Sequence, residues 1–423
     1  MDGGGDGSRR SRAVFMAFGT RGDVFPIAAL AAAFAQDQRQ YAVVFITHSA
    51  HMSLSTHLAE CNVRFMPLSS PPVLAAEQLE SISCDSVQSN VEHDSFSQRK
   101  KMIQVEHRKE CLAAVEDVFG NYTSTDGDFI VINFFALEGW HLAELFQVKC
   151  IISAPYFVPY SAPASFERQF KQSLPLLYNY FQEAPPNTVC WTDITHWMWA
   201  LFMETWGSWR NESLNLSPIP FTDPVTNLPL WYVREESPLL LYGFSKEIVE
   251  CPGLSSIGSM GYLRNPKAFL MVLKAVIEKT DYRIILFSSG YQPLDSAIQS
   301  VASSVAESIA IHHAGSGSTA AALLAGVPQI ACPFLLDQFY WAERLHWLGV
   351  APEPLRRQHL IPDTENASSI NNAADMLIGA IRSALSPEIK AQATRIAEKL
   401  SSEDGIAEAL RILRKKVLLQ SKN

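Results

Sequence analysis

Short apolar runs alternate with segments of helical spacing in two separate stretches of the chain. In the first, Ala13–Phe18 reads as a buried strand, and Gly19-Thr20-Arg21-Gly22-Asp23 breaks it. A helix follows, with Pro26 in its first turn and the alanine-rich Ile27–Ala35 as its body. Further strands are predicted over Tyr41–Thr47, Val63–Met66, Phe129–Phe135 and Lys149–Ser153, with a helix over Leu137–Phe146. The polar stretch 69–110 reads as a loop with some helix. The second alternation starts near 254. It predicts strands at Leu254–Ile257, Arg283–Phe287, Ser308–His312 and Gln329–Cys332. Its helices are expected over Pro266–Glu278, Leu294–Val305, Thr319–Ala325 and Gln338–Leu348, and the tail from 371 to 418 is helical. Strands alternating with helices predict an α/β fold with doubly wound parallel sheets, one per stretch.

The segment between the two alternations, about 155–245, has a different texture. It is rich in proline and aromatics and holds Trp191, Trp197, Trp199, Trp206 and Trp209. Such rings pack a helical insertion against the sheet, line an apolar acceptor pocket, or lie on a membrane surface. The expected organisation is a disordered leader at 1–12 and a first domain at 13–250 that carries this insertion. A second domain at 251–395 and a C-terminal helix at 396–423 complete it.

Composition narrows the function classes. The 423 residues are 48% hydrophobic and 18% charged, which suits two well-buried domains. A net charge of -9 argues against nucleic acid as a partner. The dense basic runs are Arg9, Arg10 and Arg12 at one end, and Arg411, Arg414, Lys415 and Lys416 at the other. They read as solvated ends, with anionic lipid as the alternative contact. The seven cysteines form no CxxC pair, so no metal is implied and a reducing compartment is expected. The Asp-Gly-Asp at 126–128 reads as a turn rather than a metal site. No run reaches the ~20 apolar residues of a membrane span. The expected location is cytoplasmic, with room for peripheral membrane contact.

One turn carries most of the chemistry. His312-His313-Ala314-Gly315-Ser316-Gly317-Ser318-Thr319 runs from an apolar strand straight into a helix. Small residues let the backbone approach a ligand, and the free amides of a helix start favour an anion. No Gly-Lys-Ser/Thr follows, so it is not a Walker loop. Beyond it come Gly326-Val327-Pro328, Pro333-Phe334-Leu335-Leu336-Asp337-Gln338 and Phe339-Tyr340-Trp341. The whole run from His312 to Pro354 resembles the donor-binding signature of inverting GT-B glycosyltransferases, and in detail the sterol glucosyltransferase branch. Gly19-Thr20-Arg21-Gly22-Asp23-Val24-x-Pro26 is similar to the same branch, and Leu239–Ser245 looks like plant relatives of the group.

The resemblance implies two facing Rossmann-like domains and a UDP-sugar co-substrate with no further cofactor. It also implies inverting transfer, of glucose first, to a hydroxyl of a sterol or other apolar acceptor. It assigns His313 and Gly315, Ser316, Gly317, Ser318 and Thr319 to the diphosphate, with Ser259 facing the phosphates and Asp337 and Gln338 on the sugar hydroxyls. Gly19, Thr20 and Arg21 join the donor set. Asp337 also reads as a helix N-cap. Flavonoid-type relatives carry a histidine base in the first strand-helix loop. Here Asp23 is the titratable acceptor in that loop and is expected to be the base, its rival reading being a helix cap. His141 is expected on the acceptor side, with a core role as the alternative.

The sequence departs from the family in two places. The linker before Gly258-Ser259-Met260 is cut short, and the strand and uracil-contacting passage usual before the His-His strand are missing between Phe287 and His312. The second domain is therefore expected to be shortened. That motivates a rival reading as a catalytically impaired binding descendant. A sugar-nucleotide epimerase of the same architecture is a third reading, without the extra acid and base groups it would need.

Overall fold

The computed structural model describes residues 10–70, 91–120, 127–154, 162–248 with short gaps, 266–280, 309–334 and 338–418. The strands expected at 254–257 and 283–287, the helix expected over 294–305 and the shortening before His312 lie outside the described residues. Two compact units are present, Met1–Phe244 with Asp404–Asn423, and Ser245–Glu403.

Unit 1 is built on six parallel strands: β1 Ser11–Met16, β2 Tyr41–His48, β3 Val63–Leu68, β4 Phe129–Ile132, β5 Lys149–Ala154 and β6 Leu239–Tyr242. Their spatial order is β3-β2-β1-β4-β5-β6. The chain starts in the middle, winds outward to β3, then returns to the other side of β1 and winds outward again. The switch point of this doubly wound sheet lies between β1 and β4, at their C-terminal ends, where such folds bind ligands. Strands covered on both faces read as continuous apolar runs, which is why β1 and β4 were legible. Ala13 and Phe15 of β1 join the core on one face, and Val14 and Met16 join the core on the other.

Helix α1, Arg21–Asp37, covers the first face. It begins five residues before Pro26, so that proline lies inside the helix rather than in its first turn. Its buried residues are Val24, Ile27, Ala28, Leu30, Ala31, Ala32, Phe34 and Ala35, a face widened by Ala28 and Ala32 beyond a single stripe. The reason is a second partner. A helix at Gly405–Leu413 returns to unit 1, and Leu413 and Val417 bury in the same core as α1. Arg414 Nε donates to Asp37 Oδ2 at 2.8 Å, holding the Asp37 carboxyl below its ordinary range.

The other face is covered by helix α3, Val91–Phe119, and helix α4, Glu138–Leu145; a short helix α2, Ser55–Glu60, precedes β3. Where a loop with some helix is expected over 69–110, a 29-residue helix runs from Val91 on, past the end of that stretch. Its inward residues Cys111, Ala114, Val115, Val118 and Phe119 follow helical spacing. The tryptophan-rich segment forms short helices at Ala164–Ser173, Pro175–Gln182 and Trp191–His196 before β6, a strand not foreseen. Trp197, Trp206 and Trp209 are buried, and Trp197 meets Trp140 edge to face at 5.0 Å. Of the three readings of this segment, these rings fit packing.

In unit 2 a parallel pair, β7 Ala310–His312 and β8 Gln329–Ala331, is linked by helix α9, Ser316–Leu324. Helices at Pro266–Lys279 and Ala367–Ala384 pack on each other beside this pair, around Val272, Val276, Ala374 and Leu377. Further helices run at Gln338–Trp347 and Pro387–Leu400. No described helix is long and apolar enough to cross a membrane.

Candidate active site

The loop after β1 places Gly19, Thr20, Arg21 and Asp23 together. Thr20 is the N-cap of α1, and Asp23 is the third residue of the helix. Both the backbone N–H and the hydroxyl of Thr20 donate to Asp23 Oδ2, each at 2.7 Å. The cap role is present and is compatible with the expected base role: one carboxylate oxygen is anchored, and among the described residues nothing bonds Oδ1. Burial raises the carboxyl above its ordinary value, against the two Thr20 hydrogen bonds and the nearby His51, which pull it down. A raised carboxylate is a stronger base at neutral pH. Gly19 sits at φ +110°, and a Cβ there would come within 2.6 Å of Asp23 Oδ2, so the turn demands glycine. Arg21 is exposed, its guanidinium 6.0 Å from the Phe25 ring.

Two residues hold this loop that the sequence reading did not single out. Asn133, fully buried just past β4, donates from Nδ2 to Phe18 O at 2.8 Å and to Asp23 O at 3.2 Å, and accepts from the Phe18 N–H at 3.2 Å. It stitches β4 to the β1 loop at the switch point. His51, past the end of β2, contacts the Gly19 carbonyl through Nε2 at 3.0 Å. Their signal was positional, because polar groups directly after buried parallel strands gather at one end of the sheet.

Behind the loop lies a buried polar group. His48 donates from Nδ1 to the Ser70 carbonyl at 2.9 Å, and the ring of His107 stands 5.0 Å away. Burial, then the charge of His107, lowers the His48 pKa from 6.5 to about 4, while Ser70 O and Glu110 oppose the shift and His51 adds to it. Between these values the unfolded chain binds the proton and the folded chain does not, so stability is held above pH 6.5 and falls as pH drops toward 4. We expect a loss of up to about 3 kcal/mol over that window. Urea midpoints of wild type and His48→Gln at pH 7 and 4.5 check it; a variant slope as steep as the wild type's would refute the assignment.

His141 is fully buried. Its ring lies 4.5 Å from that of Trp206 and 5.6 Å from that of Trp209. Its Nδ1 accepts from Arg210 Nη1 at 2.8 Å, because a guanidinium only donates. An acceptor molecule would have to displace a tryptophan to reach it, so the core role, the alternative reading of this residue, fits its surroundings.

In unit 2 the strand-turn-helix is formed as the sequence suggests. Gly315 caps α9, and the N–H groups of Ser316, Gly317 and Ser318 precede the first intrahelical bond, which Thr319 N makes to Gly315 O at 3.0 Å. Thr319 Oγ1 is buried with no partner among the described residues. Ala314 is held at φ +61°, where glycine is the easier choice, so the turn carries some strain there. His312 Nδ1 accepts from the Ala314 N–H at 3.0 Å, so its Nε2 donates to Gln329 Oε1 at 2.8 Å. The His313 ring stands over the turn, its Nε2 2.5 Å from where a Gly315 Cβ would be. Desolvation lowers the His313 pKa, so the ring is neutral at pH 7 and can donate one N–H. Gln338 Oε1 accepts from Phe334 N–H at 3.0 Å, which ties that oxygen to its own loop. Ser259 and Asp337 lie outside the described residues.

No family model matches the chain. A sterol 3-beta-glucosyltransferase of Arabidopsis thaliana is 24% identical over 451 residues, covering 95% of this chain and 67% of that protein. A sterol 3-beta-glucosyltransferase of Saccharomyces cerevisiae is 25% identical over 450 residues, covering 93% of this chain but 34% of its own length. The chain spans from 10% to 67% of the length of the curated relatives it matches. Among solved structures, the calicheamicin glycosyltransferase CalG4 superposes with a TM-score of 0.55 at 16% identity, covering 96% of this chain and 98% of that one. VinC in complex with dTDP gives 0.52 at 14% identity, covering 96% and 98%. These likenesses establish the GT-B glycosyltransferase fold.

Proposed function

We propose that this chain, a sterol glucosyltransferase-like member of the GT-B glycosyltransferases, moves a hexose from a UDP-sugar to a hydroxyl of a sterol or comparable apolar alcohol with inversion. The observation that carries the reading is Asp23. Its carboxylate is anchored through Oδ2, raised by burial, and set at the switch point of the unit 1 sheet. An alcohol is a poor nucleophile at neutral pH, and a positioned base relieves that. Asp23 Oδ1 takes the acceptor proton as the acceptor oxygen bonds to the anomeric carbon. The bond from that carbon to the diphosphate oxygen breaks on the opposite face, and the diphosphate leaves with the electron pair. In unit 2 the free amides at 316–318, the Thr319 hydroxyl and the His313 N–H are the groups suited to the leaving charge. Gly19, Thr20 and Arg21 are assigned to the donor; Gln338 and, from the sequence, Asp337 are assigned to the sugar hydroxyls, and Ser259, also from the sequence, to the phosphates.

The experiment is UDP-glucose turnover against a sterol panel, with UDP binding followed by calorimetry on the same folded protein. Sterol glucoside formation with UDP binding supports the reading. UDP binding without turnover on any acceptor favours the binding descendant, and an epimerised donor favours the epimerase. Folded protein that neither binds UDP nor turns over overturns the proposal.

A further inference from the structure

The peptide between Gly19 and Thr20 is held at both ends. Its N–H, that of Thr20, donates to Asp23 Oδ2 at 2.7 Å. Its oxygen, that of Gly19, meets Nε2 of His51 at 3.0 Å. A carbonyl only accepts, so His51 carries a proton on Nε2, and that N–H donates whether or not Nδ1 is also protonated. In a planar trans peptide the C=O and N–H point in opposite directions. The unit therefore acts as a short strut, with the imidazole at one end and the carboxylate at the other. Gly19, at φ +110° and without a side chain, offers little resistance of its own to a tilt of this strut.

His51 is itself fixed. It is buried at the kink of the segment Ser49–Leu54 that follows β2, and the Phe25 ring of α1 stands edge-on to it at 6.2 Å. Asn133 has a different task, because its amide holds main-chain groups of Phe18 and Asp23, the two ends of the loop. Among the described residues His51 is the one side chain that bonds the Gly19 carbonyl. We propose that His51 is a positioning residue for the transfer reaction: by pinning the Gly19 carbonyl it keeps the Thr20 N–H aimed at Asp23 Oδ2, and so keeps Oδ1 turned to the acceptor hydroxyl. This rests on the reading of Asp23 as the base. Without the imidazole the strut tilts, the Thr20 N–H leaves the oxygen, and the carboxylate swings on the Thr20 hydroxyl bond that remains. A misplacement of about 1 Å at a reacting group costs up to about 10²-fold in rate.

Charge adds a second signature. Among the described residues, the charged or titratable side chains around Asp23 are Arg21, exposed on its own turn, and His51 from the segment past β2. Asn133 and Phe135, past β4, are neutral, and His48 and His107 pack on the Phe18 ring. The charge of the His51 ring pulls the Asp23 carboxyl down, against its burial. Removing the ring lets the carboxyl rise.

The test uses the full chain with His51→Phe, which keeps a ring without the donor, and His51→Gln, whose amide keeps a donor at similar reach. Matching melting temperatures establish that both fold. With UDP-glucose and a sterol acceptor, kcat should fall about tenfold or more in His51→Phe, while KM for UDP-glucose and the calorimetric Kd for UDP stay within about twofold of wild type. His51→Gln should bring kcat back to within about threefold of wild type. Both variants lack the imidazole charge, so the acid limb of the pH profile of kcat/KM should move to higher pH in both, which a merely structural role would not produce. Exchange of the Thr20 amide, followed by NMR in protein with isotope-labelled threonine, reads the strut without turnover. It should quicken about tenfold in His51→Phe and hold in His51→Gln. Wild-type kcat in His51→Phe, a His51→Gln variant as slow as His51→Phe, or equal Thr20 exchange in all three proteins overturns the proposal. Asp23→Asn run in parallel separates the two failures. If it is slow while His51→Phe is not, the role of His51 alone falls; if it transfers at the wild-type rate, the base reading falls and takes that role with it.

Discussion

Asp23→Asn should lower sugar transfer by about 10²- to 10⁴-fold, the range a positioned general base contributes. It should do so without unfolding the chain. Asparagine keeps an oxygen where Oδ2 accepts the Thr20 N–H, so the cap of α1 survives. Because burial raises the Asp23 carboxyl, the ionised form is disfavoured in the folded state; its stabilising contribution exists only at low pH and is lost as pH rises through the raised value. At pH 7 the neutral amide avoids that cost, and the melting temperature should hold or rise slightly. Asp23→Ala, which also loses the cap, should cost about 1 kcal/mol. Steady-state product formation and thermal unfolding of both variants separate the two roles. An Asn variant that transfers at the wild-type rate would end the base assignment and leave only the cap.

The largest expected loss of stability lies at the junction between the tryptophan-rich segment and the sheet. Arg210 is fully buried and bonds Glu144 with both prongs, at 2.9 and 3.1 Å. Its Nε donates to the Ser217 carbonyl at 3.0 Å, and Nη1 to His141 at 2.8 Å. Removing either charge strands the other in the core. Arg210→Met or Glu144→Gln alone should therefore cost about 3–5 kcal/mol. Arg210→Met with Glu144→Leu should recover much of that loss, because no buried charge is left alone. Urea unfolding followed by tryptophan fluorescence reads the effect close to where it occurs, since Trp206 and Trp209 lie against the His141 ring that Arg210 bonds. Single variants as stable as the wild type would show that the pair holds nothing in place.

The sequence revealed most where a pattern had one physical cause. β1 and β4 are buried on both faces, so they appear as unbroken apolar runs. The Gly/Ser/Thr turn at 315–319 appears because a run of small residues breaks an apolar strand and opens a helix directly. The helix from Val91 was read as mixed polar chain, although Cys111, Ala114, Val115, Val118 and Phe119 carried a helical stripe just beyond where the reading stopped. β6 is only Leu239–Tyr242, and it follows a proline- and aromatic-rich passage that hid it. The partners of the Asp23 loop were less legible for a different reason. Asn133 and His51 stand far from Asp23 in sequence, and only the parallel order of the strands brings them to it.

The return of the Gly405–Leu413 helix to α1 sets an order of events on the ribosome. Ala31, Phe34 and Ala35 share a core with Leu413 and Val417, residues made only after every residue of unit 2. While unit 2 is being synthesised, the outer face of α1 stands bare, and an apolar face exposed that long invites holding by a chaperone. The domain that emerges first is the one that finishes last.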